Sequence, residues 1–92
     1  MKDKVFKALS DKNRRKILKL LKSNDGLFAG EIANKFNISK PAISKHLNML
    51  KKADLIFSKR MGKYIKYYIN MSIFEELISY FINIKGDKKE DS

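Results

Sequence analysis

The 92-residue chain has no cysteine, one histidine, one proline and four glycines. Without thiols there is no disulfide framework and no cysteine redox switch, and the pattern suits the cytoplasm. A lone histidine, His46, cannot assemble a zinc site, which needs about four N, S or O ligands, and it leaves no Ser-His-Asp or Cys-His arrangement for nucleophilic catalysis. The glycines stand apart at 26, 30, 62 and 86, so no glycine-rich phosphate loop is present. No run approaches the ~20 apolar residues of a membrane-spanning helix, and the Met-Lys-Asp-Lys start is not followed by the apolar stretch of a signal peptide. These absences point away from an enzyme, a metal or cofactor protein and a membrane-inserted protein. They leave a cytoplasmic chain of one domain.

Acidic residues are also scarce where basic ones concentrate. The net charge is +11, from 21 Lys and Arg against 10 Asp and Glu. Residues 1–22 carry nine basic and two acidic side chains, and residues 40–66 carry eight and one, whereas residues 67–92 carry three and five. Two basic blocks in one small chain are the electrostatic footprint of a polyanion binder, with a merely solubilising lysine surface as the alternative.

Apolar periodicity divides the chain into short elements. Val5, Phe6 and Leu9 mark a first helix. Ser10 or Asp11 caps a second over roughly 11–22, with Ile17, Leu18, Leu20 and Leu21 as its stripe, and Ser23-Asn24-Asp25-Gly26 ends it. Leu27 and Phe28 fit a very short strand. A third helix is predicted over 30–36, and a fourth starts behind Ser39 as N-cap, with Pro41 in the first turn and an end at Ala53-Asp54. Two strand-like runs, 55–59 and 64–69, flank a tip of Arg60-Met61-Gly62-Lys63. A last helix spans about 72–84, and the polar residues 85–92 are expected to be a disordered tail behind a single domain over 1–84. The fold class is mainly α with a small β-hairpin (α+β). The order is helix, helix, short strand, helix, helix, strand, strand, helix, that of a winged helix-turn-helix.

The fourth helix carries the most chemistry. At about 100° per residue, Ile43, Leu47 and Leu50 share the buried side, and Pro41, Ser44, Lys45 and Asn48 share the opposite one. A face of short hydrogen-bonding groups lets a helix enter a major groove closely. Lys40 and Lys45 reach phosphates or guanine edges, and the N-terminus at Ser39 favours a phosphate. His46 falls at the margin of the buried side, where packing, a hydrogen bond or a phosphate contact each fits better than metal ligation. Lys59, Arg60 and Lys63 at the hairpin can straddle a DNA backbone or enter the minor groove. Arg14 and Arg15 are ambiguous, since a helix charge is more often solvated than bound and one of them can pair within the domain. The last helix is apolar nearly all round, with Ile73, Phe74, Leu77, Ile78, Tyr80, Phe81, Ile82 and Ile84, and so needs cover on more than one side.

Phe6-Lys7-Ala8-Leu9-Ser10-Asp11-Lys12-Asn13-Arg14-Arg15-Lys16-Ile17-Leu18 resembles the start of an ArsR-family regulator. So do Gly30-Glu31-Ile32-Ala33-Asn34-Lys35-Phe36, the Ile38–Leu50 segment, and Arg60-Met61-Gly62-Lys63-Tyr64 as a wing. The likeness covers roughly residues 4–83, with Lys12-Asn13 departing from the usual Pro-Thr. The Phe-Lys-Ala start and the Ile-Ser-Lys-Pro segment are shared with the SdpR-type autorepressor branch. The resemblance implies a transcriptional repressor bound as a homodimer to an inverted-repeat operator in double-stranded DNA, with its own operon as target. It implies a dimer interface on the first and last helices, with Val5, Phe6, Leu9, Leu77, Tyr80, Phe81 and Ile84 as candidates. Many ArsR relatives sense metals through cysteine pairs or His and acidic residues on the last helix; here that helix offers Glu75 and Glu76 without histidine. The alternatives are a regulator answering a small-molecule or protein antagonist on the same scaffold, and a protein-interaction or RNA-binding module.

Overall fold

The computed structural model describes the backbone of residues 2–91 and the side chains of residues 3–86. Helix α1 (Lys2–Leu9) leads into α2 (Lys12–Asn24), strand β1 (Leu27–Phe28), α3 (Ala29–Asn34), α4 (Lys40–Lys52), β2 (Ile56–Met61), β3 (Tyr64–Ile69) and α5 (Met71–Asp91). The element order is the expected one, and the fold is a winged helix-turn-helix of α+β class.

Local chemistry sets the joints. Asp11 caps α2 by accepting from the amides of Asn13 and Arg14 at 2.8 and 3.2 Å. The helix ends on Asp25 in the left-handed region, followed by Gly26 at φ +94°. Glu31 opens α3 by accepting from the Phe28 amide at 2.8 Å. Asn70 joins the sheet to α5: its side chain donates to the Asp54 carbonyl at 2.8 Å and accepts from the Ser72 amide at 3.2 Å.

The sheet is antiparallel in the order β1-β3-β2. Ile56 faces Ile69, Ser58 faces Tyr67 and Arg60 faces Ile65, while Leu27 pairs with Tyr67. Side chains alternate along a strand, so this set shares the sheet face that meets the core. Phe57 with Tyr68, Lys59 with Lys66, and Met61 with Tyr64 lie on the outer face, as does Phe28. The core gathers Val5 and Ala8 of α1, Ile17, Leu18 and Leu21 of α2, Ile32 of α3, Ile43, Leu47 and Leu50 of α4, and Ile73 and Leu77 of α5 around Leu27, Ala53, Leu55 and Ile56.

Three sequence expectations change. Val5 and Leu77, expected at a dimer face, are core residues of the protomer at 1% and 6% exposure, because they lie on the inward stripes of α1 and α5. Helix α5 continues past residue 84 to Asp91. The apolar stripe stops at Ile84, so periodicity carries no signal beyond it. Strand β2 runs to Met61, so Arg60 is a strand residue and the tip shrinks to Gly62-Lys63. Gly62 has φ +64°, as a two-residue hairpin with glycine at its first central position requires.

The chain measures 55 × 24 × 22 Å, and its radius of gyration is 15.3 Å. A compact chain of this length has about 12 Å. The excess comes from α5, whose buried contacts with the body are made by Ile73 and Leu77 near its start.

Candidate nucleic-acid interface

The outward side of α4 is built by its own caps. The Ser39 hydroxyl accepts from the Ala42 amide at 3.3 Å, and Pro41 occupies the first turn, where no intrahelical N–H is needed. Ile43, Leu47 and Leu50 are at most 2% exposed and lock the helix rotation. Lys40, Pro41, Ser44, Lys45 and Asn48 therefore stand exposed in one strip. On α3, Ala29, Gly30 and Ala33 line a shallow groove against Lys40, Ile43 and Ser44, and these small side chains allow the two helices to approach closely.

The wing places its cations on two faces. Arg60 extends the core-side face beyond the body, and Lys63 sits in the turn with Nζ 5.8 Å from the Tyr64 ring centroid. Lys59 is on the outer face, opposite Lys66; both ammonium groups lie over the Tyr68 ring, at 5.5 and 5.6 Å. Sequence reading grouped Lys59 with Arg60, and strand alternation separates them.

A third basic surface lies on α2, where Lys12, Asn13, Arg15, Lys16 and Lys19 rim a depression of about 300 Å³. Arg15 donates to the Leu9 carbonyl at 2.7 Å and remains exposed. Arg14 is buried at 8% exposure. Its Nε donates to the Ala8 carbonyl at 2.7 Å and its Nη2 to the Lys7 carbonyl at 3.2 Å. Its Nη1 lies 3.2 Å from His46 Nδ1 and donates to Met49 Sδ at 3.3 Å. The half-buried His46 thus has one nitrogen committed inside the domain. Sequence reading left this arginine undecided, because within a basic run nothing distinguishes the one that turns inward. Burial pushes the neighbouring Asp11 carboxyl up, but the amide hydrogen bonds from Arg14 and Asn13 and the positive charge of Arg14 outweigh it, so its pKa lies below the ordinary value.

Between α1 and α5, Phe6 meets Tyr80 and Phe81 with ring centroids 6.3 and 6.2 Å apart. Phe81, Ile78, Ile82 and Ile84 are each at least 50% exposed, so α1 and α5 present a continuous apolar surface. Leu9 is half-buried against the core beside it. Among the described residues no group of three His, Cys, Asp or Glu side chains could hold a metal ion, and no helix is long and apolar enough to cross a membrane.

Comparison with known proteins agrees with this geometry. Residues 9–56 match a family model described as a helix-turn-helix domain. The chain is 52% identical over 85 residues to the transcriptional repressor SdpR of Bacillus subtilis, covering 90% of this chain and 93% of that one. It is 39% identical over 82 residues to the cadmium resistance transcriptional regulatory protein CadC of Listeria innocua, covering 89% of this chain and 69% of that one. Among solved structures, an ArsR-like transcriptional regulator from Rhodococcus sp. RHA1 superposes with a TM-score of 0.88 at 30% identity, covering 96% of this chain and 82% of that one.

Proposed function

Because the chain belongs to the ArsR family of winged helix-turn-helix transcriptional regulators, DNA-binding proteins and not enzymes, we propose that it acts in the cytoplasm as a homodimeric repressor. In this reading its 1–84 domain binds an inverted-repeat operator, its own promoter included, without a metal-sensing site. The observation that carries the proposal is the exposed strip Lys40, Pro41, Ser44, Lys45 and Asn48 on a helix whose inward side is fully locked. From the groove, Ser44, Lys45 and Asn48 address base edges. Ser39 and Lys40 at the helix start, His46 at its margin and Arg60 and Lys63 on the wing hold phosphates. Lys59 contributes charge from the outer face of the wing.

Dimerisation is supported by the apolar surface of Phe6, Tyr80, Phe81 and Ile84, with Leu9 at its edge. A two-fold axis through that surface sets two α4 helices one turn of duplex apart, about 34–36 Å. Metal independence is supported by the donor inventory: no thiol exists, and the sole imidazole faces a guanidinium.

The test is a mobility-shift series with fragments of the protein's own upstream region, scrambled duplex, duplex RNA and single strands, each with and without added zinc or cadmium. Tight binding to the upstream duplex alone, unchanged by metal, is expected. Equal binding to RNA or single strands refutes the operator reading, and a metal effect above about tenfold refutes metal independence.

A further inference from the structure

Arg14 joins three helices at one guanidinium. The last carbonyls of α1, from Lys7 and Ala8, fix two edges of the group, and the third edge meets His46 and Met49 on α4. A guanidinium has donors only and stays charged in proteins. At 3.2 Å from Nη1, His46 Nδ1 must therefore be the acceptor. An imidazole whose Nδ1 accepts is neutral and carries its proton on Nε2. Nδ1 points at a buried arginine and the ring is half-buried; among the described residues no side-chain nitrogen is buried without a partner, so Nε2, which makes no hydrogen bond within the domain, reaches the surface.

We propose that Arg14 is a positioning residue for DNA binding: it fixes the tautomer and the rotation of His46, so that Nε2–H projects from α4 as a neutral donor to a DNA phosphate. This rests on the DNA-binding reading above and adds to it a division of labour. Lysines supply charge on flexible stems, while His46 supplies a donor whose direction is set by the core. Such a donor fixes the depth and rotation of α4 against the backbone, the part that position-only contacts play in an interface. The same guanidinium also ties α1, which carries Phe6 of the apolar surface, to the recognition helix. Met49 Sδ, the other group at Nη1, is a weak acceptor, so the imidazole is the stronger of the two α4 contacts.

One histidine in the chain makes the test unambiguous. Long-range proton–nitrogen-15 spectra of the free protein at pH 8, above the ordinary imidazole range, report both ring nitrogens. A protonated Nε2 and a bare Nδ1 shifted as a hydrogen-bonded acceptor are expected, with Nδ1 moving toward the free-acceptor position in Arg14→Lys. A proton on Nδ1, or an Nδ1 resonance unmoved in Arg14→Lys, overturns the proposal. Should Arg14→Lys fail to fold, His46→Asn provides the second arm, since its carbonyl keeps an acceptor toward Arg14 while its shorter amide does not reach the Nε2 position. That variant should retain the melting temperature and lose at least about tenfold in affinity for operator and scrambled duplex alike, the worth of one hydrogen bond to a charged group. Unchanged affinity for both overturns the proposal. A wild-type chain that binds no duplex refutes the DNA-binding reading instead, and the spectra alone then decide the Arg14–His46 assignment.

Discussion

The ring of Tyr68 lies so close to the backbone of Gly26 that a Cβ at position 26 would stand 2.5 Å from its Cε1 and 2.7 Å from its Cδ1. Tyr68 is held in turn by Phe57, its cross-strand partner, with centroids 5.3 Å apart and planes 15° from parallel. The base of the wing is thus seated against the end of α2. Gly26→Ala forces a side chain into φ +94° and displaces this ring. A loss of roughly 2–3 kcal/mol in unfolding free energy is expected from urea melts. Wild-type stability would show that the ring yields without cost.

Asp11 caps α2 next to the Arg14 junction. Asp11→Ala should cost about 1 kcal/mol at neutral pH. The native carboxyl has a lowered pKa, so its ionised form contributes stability above the ordinary aspartate value of about 4, and that contribution is lost as pH falls through the lowered native value. The gap between wild type and variant should shrink below about pH 4. A gap that stays constant down to pH 2 would contradict the capping account.

The exposed rings of α5 give the oligomeric state a direct readout. Phe81 is 53% exposed in the protomer, so Phe81→Glu leaves the fold intact. Light scattering should return twice the chain mass for wild type and the single mass for the variant at micromolar concentration. Two symmetry-related rings at about 2 kcal/mol each raise the dimer Kd by roughly a thousandfold. A variant that remains dimeric would move the interface away from α5.

What the sequence makes legible follows from periodicity and caps. Ser39, Pro41 and the Ile43, Leu47, Leu50 spacing delimit α4 correctly at both ends, and the alternation of Ile65, Tyr67 and Ile69 delimits β3. What it leaves hidden depends on packing between elements. Val5 and Phe6 are neighbours in an apolar run, yet one is core and the other surface, and only the placement of α1 over α2 and α4 decides which. Arg14 and Arg15 are adjacent like charges that both reach carbonyls ending α1, and the one that turns inward also meets His46 and Met49 of α4. Lys59 and Arg60 part company once the register with β3 sets their faces. The extension of α5 beyond Ile84 has no apolar stripe to announce it.

The central claim is that α4 reads sequence while the wing tip binds phosphate. It is tested most directly by salt titrations of Ser44→Ala, Lys45→Ala and Lys63→Ala on operator and scrambled duplex. The two α4 variants should lose roughly 1–3 kcal/mol of discrimination between the duplexes. Lys63→Ala should weaken both duplexes by similar factors and flatten the salt slope by about one unit per subunit. Loss of discrimination in Lys63→Ala, with the α4 variants losing only general affinity, would contradict the account and assign the reading of sequence to the wing.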